Sequence, residues 1–147
     1  MSTVPKDRFS PIIEALARPS DLRALSMSAL HLVMSMRLCA LFDRAGRDPV
    51  AELATRFGSV IAAEEVLMLI GMIGRSWPEP FVVGRPCCLA MTPDERTLAN
   101  LARLALAADR DGFAREIDGF VRPGRQDALF AQTVRCGAEL AAPQKRA

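Results

Sequence analysis

Apolar positions in this chain recur three and four residues apart, in blocks separated by proline and glycine, which is the period of helix faces rather than strands. Ser10-Pro11 predicts a short helix over IIEALA. Ser20 is placed to cap a long helix over about 21–44, closed by Gly46. Asp48-Pro49 pairs a capping side chain with a proline in the first turn and opens PVAELATRF, which stops at Gly58; Ser59 then caps a helix running to about Gly74. Residues 75–91, RSWPEPFVVGRPCCLAM, hold three prolines and a glycine. Proline removes amide donors and forces extended neighbours, so this stretch predicts a structured loop in which FVV is the one candidate strand.

The clearest local signal is Thr92-Pro93-Asp94-Glu95. Thr92 can accept from the amide three residues on while Glu95 reaches back to the Thr92 amide; Pro93 presets φ, and Asp94 favours the positive end of the helix dipole. This helix is expected to reach about Ala108, with Leu98, Leu101, Leu104, Ala105 and Ala108 on one face. Asp109 or Asp111 starts another, to about Val121, which Pro123-Gly124 breaks. A last helix over about 126–141 turns Leu129, Phe130, Cys136 and Leu140 inward.

Within 21–44 the side chains of Leu22, Leu25, Met27, Leu30, Val33, Met34, Leu38 and Leu41 point in almost every direction at 100° per residue. A helix that is apolar all round is surrounded by others, so this one is expected at the centre, with VIAAEEVLMLIGMI over 60–73 packed against it. The fold expected is all-α: one single-domain bundle of five or six helices with a buried central helix, spanning 1–147, its ends at 1–9 and 142–147 frayed.

Composition agrees with a globular domain. The chain has 147 residues, 50% hydrophobic and 24% charged, enough for one core without disulfide or metal staples. The formal net charge is +2, and the arginines that dominate the basic residues are interleaved with Asp and Glu. That describes a solvated surface and offers no clustered basic patch for nucleic acid. AELATRFGSVIAAEEV starts like a helix-turn-helix, but its second helix would present Val60, Ile61, Ala62 and Ala63 and then two carboxylates, so DNA reading is not expected. The apolar stretches 24–42 and 66–73 do not suggest a membrane span: His31, Arg37 and serines interrupt the first, and the second is far below the ~20 residues needed. MSTVPKDRF lacks an apolar signal region, so a cytoplasmic location with free thiols is expected.

Two constellations could carry chemistry. Ser28, His31, Ser35 and Cys39 are spaced three or four apart and form a polar seam along the long helix, with Asp21 two turns before. His31 and Cys39 are separated by about 12 Å of helix axis and cannot chelate one ion from a straight helix, so packing is the expected role. The second is the vicinal pair Cys87-Cys88, just before a capped helix, where the dipole favours thiolate. The expected role is a packed lead-in to that helix, with both thiols buried. As a thiol or metal site, at least one would be exposed, with further ligands drawn from Cys39, Cys136 and His31. There is no GxSxG elbow, no Gly-rich phosphate loop, and no E-x-x-H partner for Glu64-Glu65.

RPCCLAMTPDE resembles the signature of a small bacterial family of short helical proteins, Pro-(Cys)-Cys-x-x-Met-Thr-x-(Asp/Glu)-Glu, through Pro86, Cys87, Cys88, Met91, Thr92, Asp94 and Glu95. The likeness spans about 22–105. That family is a domain of unknown function, so the resemblance implies a helical fold and no activity, cofactor or catalytic residue. The function expected is that of a non-enzymatic cytosolic protein acting through protein contacts or self-association, with no cofactor. The alternative is a thiol- or metal-dependent sensor or enzyme centred on Cys87, Cys88 and His31.

Overall fold

The computed structural model describes residues 20–142. They form an all-α bundle of six helices: α1 (Met27–Arg44), α2 (Val50–Phe57), α3 (Val60–Ser76), α4 (Pro93–Leu106), α5 (Arg110–Ile117) and α6 (Pro123–Ala141), with a single 3₁₀ turn at Leu22–Ala24. The expected IIEALA helix and the expected frayed ends, apart from Ala142, lie outside the described residues.

Most boundaries are set where local chemistry puts them. Ser59 accepts from the Ala62 amide to open α3, and Asp109 accepts from Gly112 to open α5. Gly58 ends α2 in the left-handed region at φ 65°, which glycine adopts without a Cβ penalty. Asp48 accepts from the Val50 amide at 3.0 Å just ahead of α2. Thr92 and Glu95 complete both halves of the capping box on α4.

Other boundaries depart from the sequence reading. The long helix begins at Met27 under a Ser26 cap, not at Asp21 under Ser20. Asp21 caps the 3₁₀ turn, Leu25 is extended, and the chain ahead of α1 pairs with the far loop: Leu22 N donates to Leu89 O and Met91 N to Ser20 O, both at 2.9 Å. FVV forms no strand; an isolated bridge between Asp21 and Ala90 is the one β contact among the described residues. Ala108 does not face inward. It is exposed at φ 53°, where the chain leaves α4, and Asp109 N returns to Leu104 O. α5 ends at Ile117, short of Val121. Pro123 opens α6 instead of breaking a helix, since the first turn has no use for its missing amide.

Core side chains come from every helix. α1 buries Ala29, Leu32, Val33 and Met36 and packs mainly on α4, while leaving Met27 and Leu41 exposed. α3 meets α1 only slightly, contrary to the sequence expectation; it packs chiefly on α6 and α2. α3 and α6 run antiparallel, with Gln132 Nε2 donating to Glu65 O (3.0 Å) and Arg125 Nη1 to Arg75 O (3.1 Å). α4 joins the two pairs, touching α1, α5 and α6, and buries Leu98, Leu101, Leu104 and Ala105 as expected.

Candidate functional site

The connection from Trp77 to Met91 has no regular structure, so its backbone polar groups need partners from elsewhere. They find them at one buried ion pair. Arg37 on α1 and Glu95 on α4 meet at 2.6 Å, and both side chains are 0% exposed. The guanidinium spends all five of its donors: Nε and Nη2 on Glu95 (2.6 and 2.9 Å), Nη1 on Arg85 O and Cys88 O (3.0 and 2.6 Å), and Nη2 also on Ala90 O (3.1 Å). Glu95 in turn accepts from the Thr92 amide (2.9 Å) and the Gly84 amide (3.2 Å). Its neighbours hold the outer part of the same loop. Asp94 accepts from Val82 N and Trp77 Nε1, and Thr92 Oγ1 donates to Val82 O.

The electrostatics follow from these contacts. Burial alone would raise the Glu95 carboxyl; the bonds from Arg37, Thr92 and Gly84 outweigh it and hold the group below the usual carboxylate range. The hydrogen bond to Glu95 raises Arg37 further, against its burial. Sequence reading treated Arg37 only as an interruption of an apolar stretch and Glu95 only as a cap. The available signal was a single charge in the middle of LHLVMSMRLCALF, because a charge in a core-facing helix needs a partner of opposite sign.

Of the residues singled out from sequence, Cys87 and Cys88 are both exposed, which corrects the expectation of a packed, buried pair. They sit on a turn closed by Cys88 N donating to Arg85 O (3.0 Å). The Arg85 and Cys88 carbonyl oxygens of this turn accept from Arg37, so the exposed pair rides on an anchored backbone. Cys136 is buried and Cys39 half-buried. Burial pushes their thiols up to about 12 and about 11, so both are protonated at neutral pH.

The polar seam is split. His31 meets Phe57 of α2 edge to face at 5.5 Å, Ser35 donates to His31 O at 2.6 Å, and both line a groove of about 340 Å³ between α1 and α2. Cys39 instead borders a second groove, of about 330 Å³, with Met36, Asp43, Arg47, Ile70 and Phe81. Asp21 is not on α1 at all; Arg23 hydrogen-bonds it and holds its carboxyl down to about 2. Among the described residues, no three His, Cys, Asp or Glu side chains stand close enough to share a metal ion. The five candidates Cys39, Cys87, Cys88, Cys136 and His31 are therefore not brought together.

One helix surface stands apart from the rest. α3 is apolar on two sides: Ala62, Ala63, Val66, Leu69 and Ile73 are buried, while Val60, Ile61 and Met68 are 59%, 60% and 54% exposed. At 100° per residue, Val60, Gly71, Glu64, Arg75, Met68 and Ile61 fall within an arc of about 100°. The outward stripe thus carries three large apolar side chains together with one carboxylate and one guanidinium.

The fold and these surfaces define a helical bundle organised around a buried ion pair, with large apolar side chains left exposed along α3. Comparison with known proteins adds no relative: no family model, no curated protein and no solved structure matches the chain.

Proposed function

We propose that this is a non-enzymatic cytoplasmic protein that works by protein contact, self-associating through the outward face of α3. The observation that carries the reading is the doubly apolar character of α3. A helix with apolar side chains on two sides is most stable when both are covered, and here Val60, Ile61 and Met68 are left in water. A contiguous exposed apolar patch marks an interaction surface. No helix among the described residues is long and apolar enough to cross a membrane. Light scattering across a concentration series tests it: the native chain is expected to associate, and Ile61→Glu with Met68→Glu is expected to leave a folded monomer. A native chain that stays monomeric throughout the series would refute it.

A second reading, thiol sensing, is favoured by one observation, the exposure of both Cys87 and Cys88 over a turn tied to the buried ion pair. Its test is whether modification of these thiols weakens the fold through that turn.

A further inference from the structure

The outward stripe of α3 carries more information than its apolarity. Glu64 is exposed and forms no ion pair among the described residues. Arg75, also exposed, forms none either, and its Nη1 lies back over Gly71, 3.4 Å from where a Cβ would stand. These two opposite charges lie on the same side of the helix, about 20° apart in projection and about 16 Å apart along the axis. Between them the stripe offers one large side chain, Met68, and one position without any, Gly71.

We infer that two copies of this chain pair through α3 in an antiparallel, two-fold arrangement in which Glu64 of each copy meets Arg75 of the other. This rests on the self-association proposed above and specifies its geometry and register. A two-fold interface is self-complementary: if residue i meets residue j, then j meets i. An antiparallel crossing with its axis midway between Glu64 and Arg75 brings the two charges together twice. The same register brings Met68 of one copy level along the axis with Gly71 of the other, within reach of its flexible side chain, because both pairs share one midpoint on the helix. The methionine fills the gap that the glycine leaves, and an Arg75 drawn across to Glu64 vacates the space above Gly71. A parallel pairing would instead set Glu64 against Glu64 and Arg75 against Arg75, which repel. Charge pattern and side-chain size thus select the same register, and a second copy is the partner that supplies both complements.

Charge reversal tests the geometry by light scattering at low salt, where exposed pairs are least screened. Glu64→Arg and Arg75→Glu are each expected to weaken association roughly tenfold, since each creates two like-charge contacts per dimer. The double variant, with the charges exchanged, is expected to return to within about threefold of the native chain. Both positions are exposed, and circular dichroism checks that the variants remain folded. Association that Met68→Glu abolishes but charge reversal leaves unchanged would overturn the antiparallel register and leave the α3 face standing as the contact. Weakening by both single changes without rescue in the double would likewise overturn the pairing. A native chain that is monomeric at every concentration would overturn this inference together with the self-association on which it rests.

Discussion

Two of the joints in this bundle are made of different chemistry. Where α1, α4 and the 77–91 loop meet, the contact is a buried ion pair whose polar positions are filled by carbonyls and amides of the loop. Where α3 meets α6, the contact is mainly apolar, Ala62, Val66 and Leu69 opposite a face bearing Leu129 and Cys136, with polar ties from Gln132 to Glu65 and from Arg125 to the Arg75 carbonyl at its edges. Helices satisfy their own backbone and can be joined by burial alone. A loop broken by prolines cannot, so its carbonyls must be given donors. A guanidinium with five donors is suited to that task, and it needs a buried carboxylate to balance its charge. The polar joint thus exists because of the loop, and the apolar joint has no need of one.

This contrast sets the order of expected effects. Glu95→Gln leaves Arg37 buried without its counter-charge and is expected to cost about 3–5 kcal/mol in urea unfolding. Replacing both partners, Arg37→Met with Glu95→Leu, removes the uncompensated charge but strands the carbonyls of Arg85, Cys88 and Ala90, so part of the loss should remain. The pair also sets an acid dependence. Because the folded-state value of Glu95 is depressed, its contribution is fully present above its unfolded value near ~4.3 and is lost as pH falls through the lower, folded value. Unfolding measured from pH 7 downward should show this loss in the native chain and a flatter profile in Glu95→Gln.

The apolar joint should respond differently. Leu129→Ala, at a position 1% exposed, is expected to cost about 2–4 kcal/mol and to leave the acid profile of the native chain unchanged. If Leu129→Ala altered the acid profile as strongly as Glu95→Gln, the two joints would not be separable. Gly84→Ala probes the polar joint from the loop side. A Cβ there would stand 2.7 Å from Arg37 Nη2 and 3.2 Å from Glu95 Oε1, and the expected cost is about 1–3 kcal/mol. A neutral Gly84→Ala would show that the loop can shift without loosening Arg37.

The smallest effect concerns the thiols and touches stability least. A thiol reagent applied to the native protein should label Cys87 and Cys88, which are exposed, and spare Cys39 and Cys136 until the chain unfolds. Melting after that labelling compares the two roles of the turn. Its carbonyls anchor Arg37 while its side chains face solvent, so a small adduct should lower the melting temperature far less than Gly84→Ala. A drop as large as that of Gly84→Ala would support the thiol-sensing reading.

Much of the secondary structure was legible because it is fixed within a few residues. The Ser59 and Asp109 caps, the left-handed Gly58 and the Thr92–Glu95 capping box need only their immediate neighbours, and each formed as the sequence implies. What failed locally failed where a distant segment intervened. The first turn expected at 21–26 is diverted to pair with Leu89 and Met91, and a cap at Ser20 has no say against those bonds. Small apolar side chains such as Cys favour the interior, yet Cys87 and Cys88 are exposed, because the turn that carries them is held by its Arg85 and Cys88 carbonyls.

Sequence alone therefore determined the all-α class, the succession of helices and most of their caps, since periodicity and capping are properties of contiguous residues. Only the tertiary structure decided which helix faces are covered and which charges meet. Arg37 and Glu95 are 58 positions apart, and the loop between them contributes to the site through backbone atoms that every residue shares. No residue type announces a carbonyl acceptor, so that part of the site is invisible until the chain folds. The same holds for α3: its two apolar sides are written in VIAAEEVLMLIGMI, but which one packs on α6 and which one faces solvent is settled by the helices around it.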